Sequence, residues 1–213
     1  MNQARSIARP VWQGPVFIYL VGWPGVGKYT LAQELARRGS VEHHHLVIDS
    51  HYVNNVIFAL IGADGVKPLG PEVWAKVAEV RRTVLETIET LSPPGWSFVF
   101  TNVLVQDNPS DRELFERLAS IAAGRPACFV PVTLACALDE LARRVASPSR
   151  AERLKWTDAA SLRQMVSERS LLRIDHPNHL ELDVTDLSPT QAADQVADHL
   201  RNVTVVPGAL QAD

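Results

Sequence analysis

The nine residues GWPGVGKYT, at positions 22–30, decide the fold of this chain. Their spacing is G-x-x-x-x-G-K, and they follow an apolar run, VFIYLV (16–21), that is rich in strand-forming residues. After them, Leu31 and Leu35 recur at helical spacing until Gly39. A strand, a glycine-rich loop and a helix in this order bring backbone N–H groups together on phosphate oxygens. The stretch therefore predicts a phosphate-binding loop.

Each residue type in the loop has a physical reason to be there. Gly22, Gly25 and Gly27 allow the backbone to turn, Pro24 stiffens the turn, and Lys28 reaches the β- and γ-phosphates as a point charge. The alternative is a glycine-rich turn with a surface lysine, but the spacing favours nucleotide binding. The expected nucleotide contacts are Gly22, Pro24, Gly25, Val26, Gly27, Lys28, Tyr29 and Thr30.

The residue after the lysine departs from the pattern. A serine or threonine at this position usually holds a magnesium ion, but here it is Tyr29, and the hydroxyl comes one residue later, at Thr30. The phenol oxygen lies too far from the backbone to take that place. We expect Mg²⁺ to be held by nucleotide oxygens, waters and a carboxylate, with Thr30 and Asp49 as the protein donors. The alternative is a loop that binds nucleotide without turnover.

Composition indicates an ordinary globular domain. The chain has 213 residues, of which 46% are hydrophobic and 21% charged, and a net charge of −3 that gives no general attraction for nucleic acid. We expect a leader at 1–14, one domain at 15–201 and a flexible tail at 202–213. No apolar run is long enough to span a membrane. Cys128 and Cys136 lack metal-site spacing, which favours free thiols and a cytoplasmic location.

Further apolar runs predict a parallel sheet. Helical segments separate these runs, so we expect helices on both faces of the sheet. Ser110 with Glu113, and Ser188 with Gln191, have the spacing of capping boxes at helix starts. The four further strands are expected at LVID (46–49), SFVFTNV (97–103), CFVPVTLA (128–135) and HLELDV (179–184).

Polar residues at strand ends are the candidates for chemistry. Asp49 ends the second strand, where ligands of open α/β sheets bind, so it can act as a general base or hold a metal-bound water. It can equally be a helix cap, and His51 can assist it or cap. Thr101 and Asn102, at the end of the third strand, are expected to contact the ligand or the catalytic water, or else to satisfy the loop backbone. The absence of an aspartate there argues against a motor-type ATPase.

An insertion at 50–96 separates the second and third strands. Its latter half predicts an amphipathic helix, and Arg81 lies beside the apolar stripe with Trp74 on the same side. Arg81 and Asn55, with the neighbouring Asn54, are expected in a substrate pocket, although packing alone also explains Arg81. The stripe consists of Val73, Val77, Val80, Val84, Ile88 and Leu91.

The segment 141–155 is basic and is interrupted by Ser-Pro-Ser. A hinged basic segment over the nucleotide would stabilise transition-state charge, so we expect a lid at 143–157 with Arg144 and Arg150 as its catalytic residues. The alternative is a solvated charged face. The loop after the last strand, including Thr185, is expected near the nucleotide base. The basic residues are Arg143, Arg144, Arg150, Arg153 and Lys155, against a single Glu152.

Through GWPGVGK, the VIDSH that contains Asp49, and the arginine-rich segment, residues 15–201 resemble small bacterial phosphate-loop kinases. These include shikimate kinase, adenylylsulfate kinase and chloramphenicol phosphotransferase. The chain is also similar to bacterial AAA-type ATP-binding proteins that carry GKYT. The resemblance implies a three-layer α/β fold, a five-stranded parallel sheet of order 2-3-1-4-5 and a helical lid. It also implies ATP, Mg²⁺, Lys28 on the phosphates and Asp49 as the base.

The expected function is therefore an ATP-dependent phosphotransferase. The acceptor is the hydroxyl of a small molecule, such as a nucleoside, a sugar or an antibiotic, and the protein is a monomer or a homodimer. The alternative is a nucleotide-binding or NTPase regulatory module that acts with a protein or RNA partner.

Overall fold

The computed structural model describes residues 14–39, 45–64, 67–125, 127–147 and 156–203. The strands are β1 (Val16–Gly22), β2 (His45–Asp49), β3 (Ser97–Asn102), β4 (Cys128–Ala135) and β5 (Leu180–Asp183). The helices are α1 (Lys28–Arg37), α2 (Ser50–Leu60), α3 (Pro71–Thr90), α4 (Pro109–Gly124), α5 (Leu138–Val145), α6 (Ala159–Glu168) and α7 (Pro189–Leu200).

The five strands form one parallel sheet in the order β2-β3-β1-β4-β5, which confirms the predicted order. The seven residues of β1, at the centre of the sheet, are all buried. In its register, Val21 pairs with Asn102 on one side and Thr133 on the other. Because all strands run in the same direction, the phosphate loop and the ends of β2 and β3 lie at one edge of the sheet.

Alternating residues of β1 enter two separate cores. Ile18 and Leu20 pack on one face with buried residues of α1, α5, α6 and α7. Phe17 and Tyr19 pack on the opposite face with buried residues of α3 and α4. A strand buried on both faces reads as a continuous apolar run, as VFIYLV does. The result is the predicted three-layer α/β fold.

One of the two predicted capping boxes is confirmed. Ser188 Oγ accepts from the backbone N–H of Gln191 at 3.2 Å, and the Gln191 side chain accepts from the Ser188 N–H at 2.9 Å. The box predicted at Ser110 and Glu113 is wrong. Asn108 caps α4 instead, with its side-chain oxygen accepting from the Ser110 N–H at 3.2 Å. The reason is that Pro109, with its fixed φ, takes the first helical position.

The insertion contains one helix more than predicted. α2 begins directly after Asp49, whereas the sequence indicated a helix only for the latter half, where α3 lies. Val53 and Phe58 of α2 form a small core with Val77 of α3. Leu91 does not join the apolar stripe as predicted, because α3 ends at Thr90 and the Leu91 side chain is 78% exposed.

Parts of the predicted domain plan lie outside the described residues. These are 1–13 of the leader, 204–213 of the tail, and 148–155 at the centre of the predicted lid, which include Arg150. The division into leader, domain, lid and tail stays a prediction. Across the described ranges, no helix is long and apolar enough to cross a membrane. Cys128 and Cys136 are free thiols.

Candidate functional site

A cleft of about 1690 Å³ opens at the carboxyl edge of the sheet, with the phosphate loop on one side and α2 and α3 on the other. Of the residues predicted for the site, Gly22, Asn55 and Thr185 do not line it. Those that line it are Pro24, Gly25, Val26, Gly27, Lys28, Tyr29, Thr30, Asp49, His51, Arg81, Thr101, Asn102 and Arg144.

The loop has the backbone conformation that its glycines permit. Gly25 has φ +88° and Gly27 has φ +106°, both in the left-handed region that favours glycine. Gly27 caps α1, so the N-terminus of α1 opens into the cleft. The Lys28 ammonium donates to the carbonyl oxygens of Gly22 at 2.5 Å and Trp23 at 3.0 Å. A cation and a helix N-terminus therefore meet at one place, which suits an anion.

Tyr29 extends from α1 to α2. Its phenol oxygen accepts from the Gln33 side-chain amide at 2.8 Å and lies 3.0 Å from the Tyr52 hydroxyl. The two tyrosine rings meet edge-on, with centroids 6.2 Å apart. The Tyr29 side chain thus connects the phosphate-loop side of the cleft to the first turn of α2. Thr30 is exposed and also lines the cleft.

Asp49 is buried at the junction of β2 and α2, with 3% of its surface exposed. Its Oδ1 accepts from the Thr101 hydroxyl at 2.6 Å and, as the N-cap of α2, from the His51 N–H at 3.5 Å. The Thr101 oxygen in turn accepts from the Ser50 N–H at 3.3 Å. Because Asp49 and Thr101 are register partners on β2 and β3, the sheet fixes the position of this carboxylate. It is a helix cap and also lines the cleft.

The two asparagines of α2 have different positions. Asn55 Oδ1 lies 3.3 Å from His51 Nδ1 and accepts a hydrogen bond from it in the ring tautomer that carries the proton on Nδ1. Asn55 does not line the cleft. Asn54 lines it instead. Consecutive helical residues point about 100° apart, so one of the two asparagines expected in the pocket faces the cleft and the other does not.

Arg144 connects the phosphate loop to the loop after β5. Its guanidinium donates to the carbonyls of Val26 at 3.3 Å, Val184 at 3.1 Å and Thr185 at 2.9 Å, and its Nε donates to Glu140 at 2.7 Å. Arg144 belongs to α5, and these hydrogen bonds hold its guanidinium against both loops. A catalytic role for Arg144, and that of Arg150 outside the described residues, stay predictions.

Glu140 neutralises part of the positive charge of the basic segment. It forms hydrogen bonds with Arg143 at 2.6 and 2.7 Å and with Arg144, and these bonds lower the pKa of Glu140 to about 2. The carboxylate comes one residue before the segment that was counted as basic, so its neutralising effect was missed. The two cations of this segment that lie within the described residues, Arg143 and Arg144, are therefore both ion-paired.

Among the charged residues that line the cleft and were missed are Asp111 and Arg169. Asp111 is half-buried in the first turn of α4, where Oδ2 accepts from the Val105 N–H at 2.8 Å, and burial raises its pKa. Its position shortly after β3 could have indicated it. Arg169, just after α6, holds Asp107 through its Nε and a terminal nitrogen. No pattern in the sequence marks Arg169, because α6 is distant along the chain from every strand end on this side.

No protein-family model matches this sequence, and no curated protein matches it. Solved structures do match. A gluconokinase from Sinorhizobium meliloti 1021 has 14% identity and a TM-score of 0.56, over 88% of this chain and 93% of that one. A sugar kinase from Janibacter sp. HTCC2649 has 16% identity and a TM-score of 0.58, over 91% and 96%.

The APS kinase of Mycobacterium tuberculosis, solved with AMPPNP and APS, has 18% identity and a TM-score of 0.55 over 89% of this chain and 99% of that one. At these identities the similarity shows the fold. Together with the sheet order and the loop, it defines the class: this chain has a P-loop kinase fold.

Proposed function

We propose that this protein is an ATP-dependent kinase that transfers the γ-phosphate to a hydroxyl group of a small molecule. The observation that carries the proposal is the placement of Lys28, in its glycine loop, and the buried Asp49 around one cleft at the carboxyl edge of the sheet. The proteins of similar fold include a gluconokinase and an APS kinase solved with AMPPNP, which supports a nucleotide-dependent transfer.

In this proposal the loop amides and Lys28 hold the β- and γ-phosphates. The rest of the ATP molecule runs along α1 toward the loop after β5, which binds the adenine. Arg144 fixes this loop by donating hydrogen bonds to the carbonyls of Val184 and Thr185. Because Arg144 also donates to the Val26 carbonyl, it holds the loop proposed to bind adenine at a fixed distance from the phosphate loop. Arg150, in the predicted lid, acts on the transferring phosphoryl group.

The chemical step needs one base and one leaving group. The acceptor oxygen attacks the γ-phosphorus, the bond from that phosphorus to the β–γ bridging oxygen breaks, and ADP leaves. Asp49 takes the proton of the acceptor hydroxyl. Thr101, which donates to Asp49 Oδ1, orients the carboxylate, and Asn102 and His51 contact the acceptor beside it.

The residues present fit Mg²⁺ when the nucleotide supplies most of its ligands. Among the described residues, no three His, Cys, Asp or Glu side chains come together in a way that could hold a metal ion. The cleft does contain hard oxygen donors, the Asp49 carboxylate and the Thr30 hydroxyl, which suit magnesium directly or through water. When bound, Mg²⁺ neutralises charge on the phosphate oxygens.

Acceptor-dependent release of ADP tests the proposal. A panel of small alcohols is screened with ATP and Mg²⁺ on the wild-type chain and on Asp49→Asn. Asparagine still caps α2 and still accepts from Thr101, so the variant changes the base and preserves the fold. We expect AMPPNP binding to remain and turnover to fall about 10²–10⁴-fold.

Equal turnover of Asp49→Asn removes Asp49 from the mechanism. Nucleotide binding with no effect of any acceptor contradicts the kinase proposal and favours a regulatory nucleotide-binding module.

A further inference from the structure

Helix α3 has two distinct apolar sides. Val77, Leu85 and Ile88 are buried toward α2 and the sheet. A second stripe faces the cleft and consists of Pro71, Trp74, Ala75, Ala78 and Arg81. These five residues recur at the spacing of a single helix face. We call it the cleft stripe.

The cleft stripe has small side chains in the middle and a large side chain on either side of them. Ala75 and Ala78 are exposed, so their small side chains leave space above the helix. Trp74 stands at one end and Arg81 at the other, seven residues apart, or about 10 Å along the helix axis. This separation matches the length of a ring compound with one substituent.

The Trp74 side chain lines the cleft and is partly exposed there. The side chain is 45% exposed, and its ring meets Phe58 of α2 edge-on, with centroids 5.7 Å apart. The Phe58 ring is itself buried, so the indole is supported from behind. Pro68 and Leu69 line the cleft in the same neighbourhood. An exposed aromatic face with apolar flanks is suited to stacking on a ring.

Arg81 is the cation at the sheet end of the cleft stripe. It is half-buried, and among the described residues its guanidinium has no hydrogen bond or ion pair. It lines a small cavity, about 20 Å³, together with Ser50, Asn54 and Asn102. Asp111, whose carboxylate interacts electrostatically with Arg81, accepts a hydrogen bond from the Val105 N–H, and burial raises its pKa against the opposing effects of that bond and of the Arg81 charge. A half-buried arginine of this kind fits an anion supplied by a ligand.

We propose that the acceptor is a hydroxyl-bearing ring compound with one anionic group, stacked on Trp74 and paired through its anion with Arg81. This inference rests on the proposed kinase function and narrows its substrate class. A neutral polyol has no ring for Trp74 and no anion for Arg81. An open-chain sugar acid such as gluconate has the anion for Arg81 but no ring for Trp74.

Four probes separate the ring from the anion. The probe 4-(hydroxymethyl)benzoate has both the ring and the anion. Benzyl alcohol has only the ring, gluconate has only the anion, and glycerol has neither. Dissociation constants are measured by ligand-detected NMR with Mg²⁺ and saturating AMPPNP, and again without nucleotide. We expect 4-(hydroxymethyl)benzoate to bind about tenfold more tightly than either single-feature probe, and glycerol to bind most weakly.

Two variants with matched controls assign the effects. Arg81→Gln should weaken the two anionic probes about tenfold and leave benzyl alcohol unchanged. Trp74→Ala should weaken the two ring probes about tenfold and leave gluconate unchanged, while Trp74→Phe retains most of the affinity. Arg82→Gln and Leu91→Ala are the controls, because Arg82 points outward near Glu86 and Leu91 is exposed beyond α3. Thermal melting checks that all variants are folded.

The proposal is overturned if glycerol or gluconate binds as tightly as the ring acid, or if no ring acid binds at millimolar concentration. It is also overturned if Arg81→Gln weakens neutral and anionic probes equally, as expected for an arginine that serves only the transferred phosphate. Failure of AMPPNP to bind is a separate result. It contradicts the kinase proposal, whereas the ring-and-anion pattern without nucleotide still tests the ligand class.

Discussion

The two sides of the cleft are built in different ways. The phosphate side is made mainly of backbone, in which Gly25 and Gly27 have positive φ and Gly27 caps α1. The side proposed for the acceptor is made of side chains from α2 and α3, such as Asn54, Trp74 and Arg81. Backbone sites are specified by a few residues at a fixed spacing. Side-chain sites depend on which way each helix faces, and they can change while the fold is kept.

This difference predicts which substitutions affect the two sides separately. Tyr29 is the contact between them, because its hydroxyl lies beside that of Tyr52 on α2. The following experiments test whether the sides are independent, from the largest expected effect to the smallest.

Lys28→Ala should have the largest effect. We expect turnover to fall by at least about 10²–10³-fold, since the variant removes the lysine of the loop at 22–30, which in the proposed function holds the phosphates of ATP. AMPPNP binding, measured by calorimetry, should be largely lost, while binding of 4-(hydroxymethyl)benzoate in the absence of nucleotide should persist. Lys76→Ala, at an exposed lysine paired with Glu79, is the control. Loss of probe binding in Lys28→Ala would show that the two sides are not independent.

Gly25→Ala and Gly27→Ala test the backbone specification of the phosphate side. Both force alanine into the left-handed region, at a cost of about 1–2 kcal/mol each. A Cβ at Gly25 also lies 2.6 Å from a methyl of the buried Val145, whereas one at Gly27 has no atom within 4 Å. Overpacking adds about 1–3 kcal/mol at Gly25.

Urea unfolding measures both free energies. Gly25→Ala should be the less stable of the two variants. Equal destabilisation would show that contact with α5 does not constrain the loop.

The pH dependence of stability should arise away from both sides. Burial and the charge of His179 lower the pKa of His176, and burial also lowers the pKa of His179 despite the opposing charge of Glu181. Above about pH 6.5 both are neutral whether folded or unfolded, so full stability is retained. As the pH falls below 6.5, the unfolded chain takes up protons that the folded chain resists, and the free energy of unfolding decreases.

Urea midpoints at several pH values check this dependence. His179→Gln should make the stability less sensitive to acid, since the amide retains a polar partner for Thr133. An unchanged slope in that variant would place the titrating group elsewhere.

Tyr29→Phe should have the smallest effect. It removes the hydroxyl that contacts Gln33 and Tyr52, and both contacts are at the surface. We expect the free energy of unfolding to change by less than about 1 kcal/mol. The affinity for AMPPNP and its dependence on Mg²⁺ should remain, because the phenol is directed at α2. Loss of Mg²⁺ dependence in this variant would show that the phenol oxygen serves the metal.

The fold could be predicted almost completely from the sequence. The strand runs are continuously apolar because both faces of a parallel sheet are covered, and the loop fixed the place of the cleft. The start of α4 was missed by two residues, since Asn108 and Pro109 together make a stronger helix start than Ser110. α2 was missed because its start depends on the capping of its N-terminus by Asp49, a residue first considered for chemistry.

The candidate site could be predicted only in part. Lys28 follows from the spacing of the glycine loop, and Asp49 follows from its position at the end of a strand. Asn54 and Asn55 were both expected in the pocket and Asn54 alone of the two lines the cleft, because the rotation of α2 is set by how Val53 and Phe58 pack on α3. Arg169 lines the cleft because of how the chain folds in three dimensions, and no local sequence pattern predicts that position.

Calorimetric titration of the wild-type chain with AMPPNP, with and without Mg²⁺, tests the central claim most directly. That claim is that the loop at 22–30 holds the terminal phosphates of a nucleotide although Tyr29 follows its lysine. The account predicts saturable binding at one site, strengthened by Mg²⁺ and largely abolished by Lys28→Ala. A folded protein that gives no binding heat with or without Mg²⁺, or the same heat in Lys28→Ala, would contradict it.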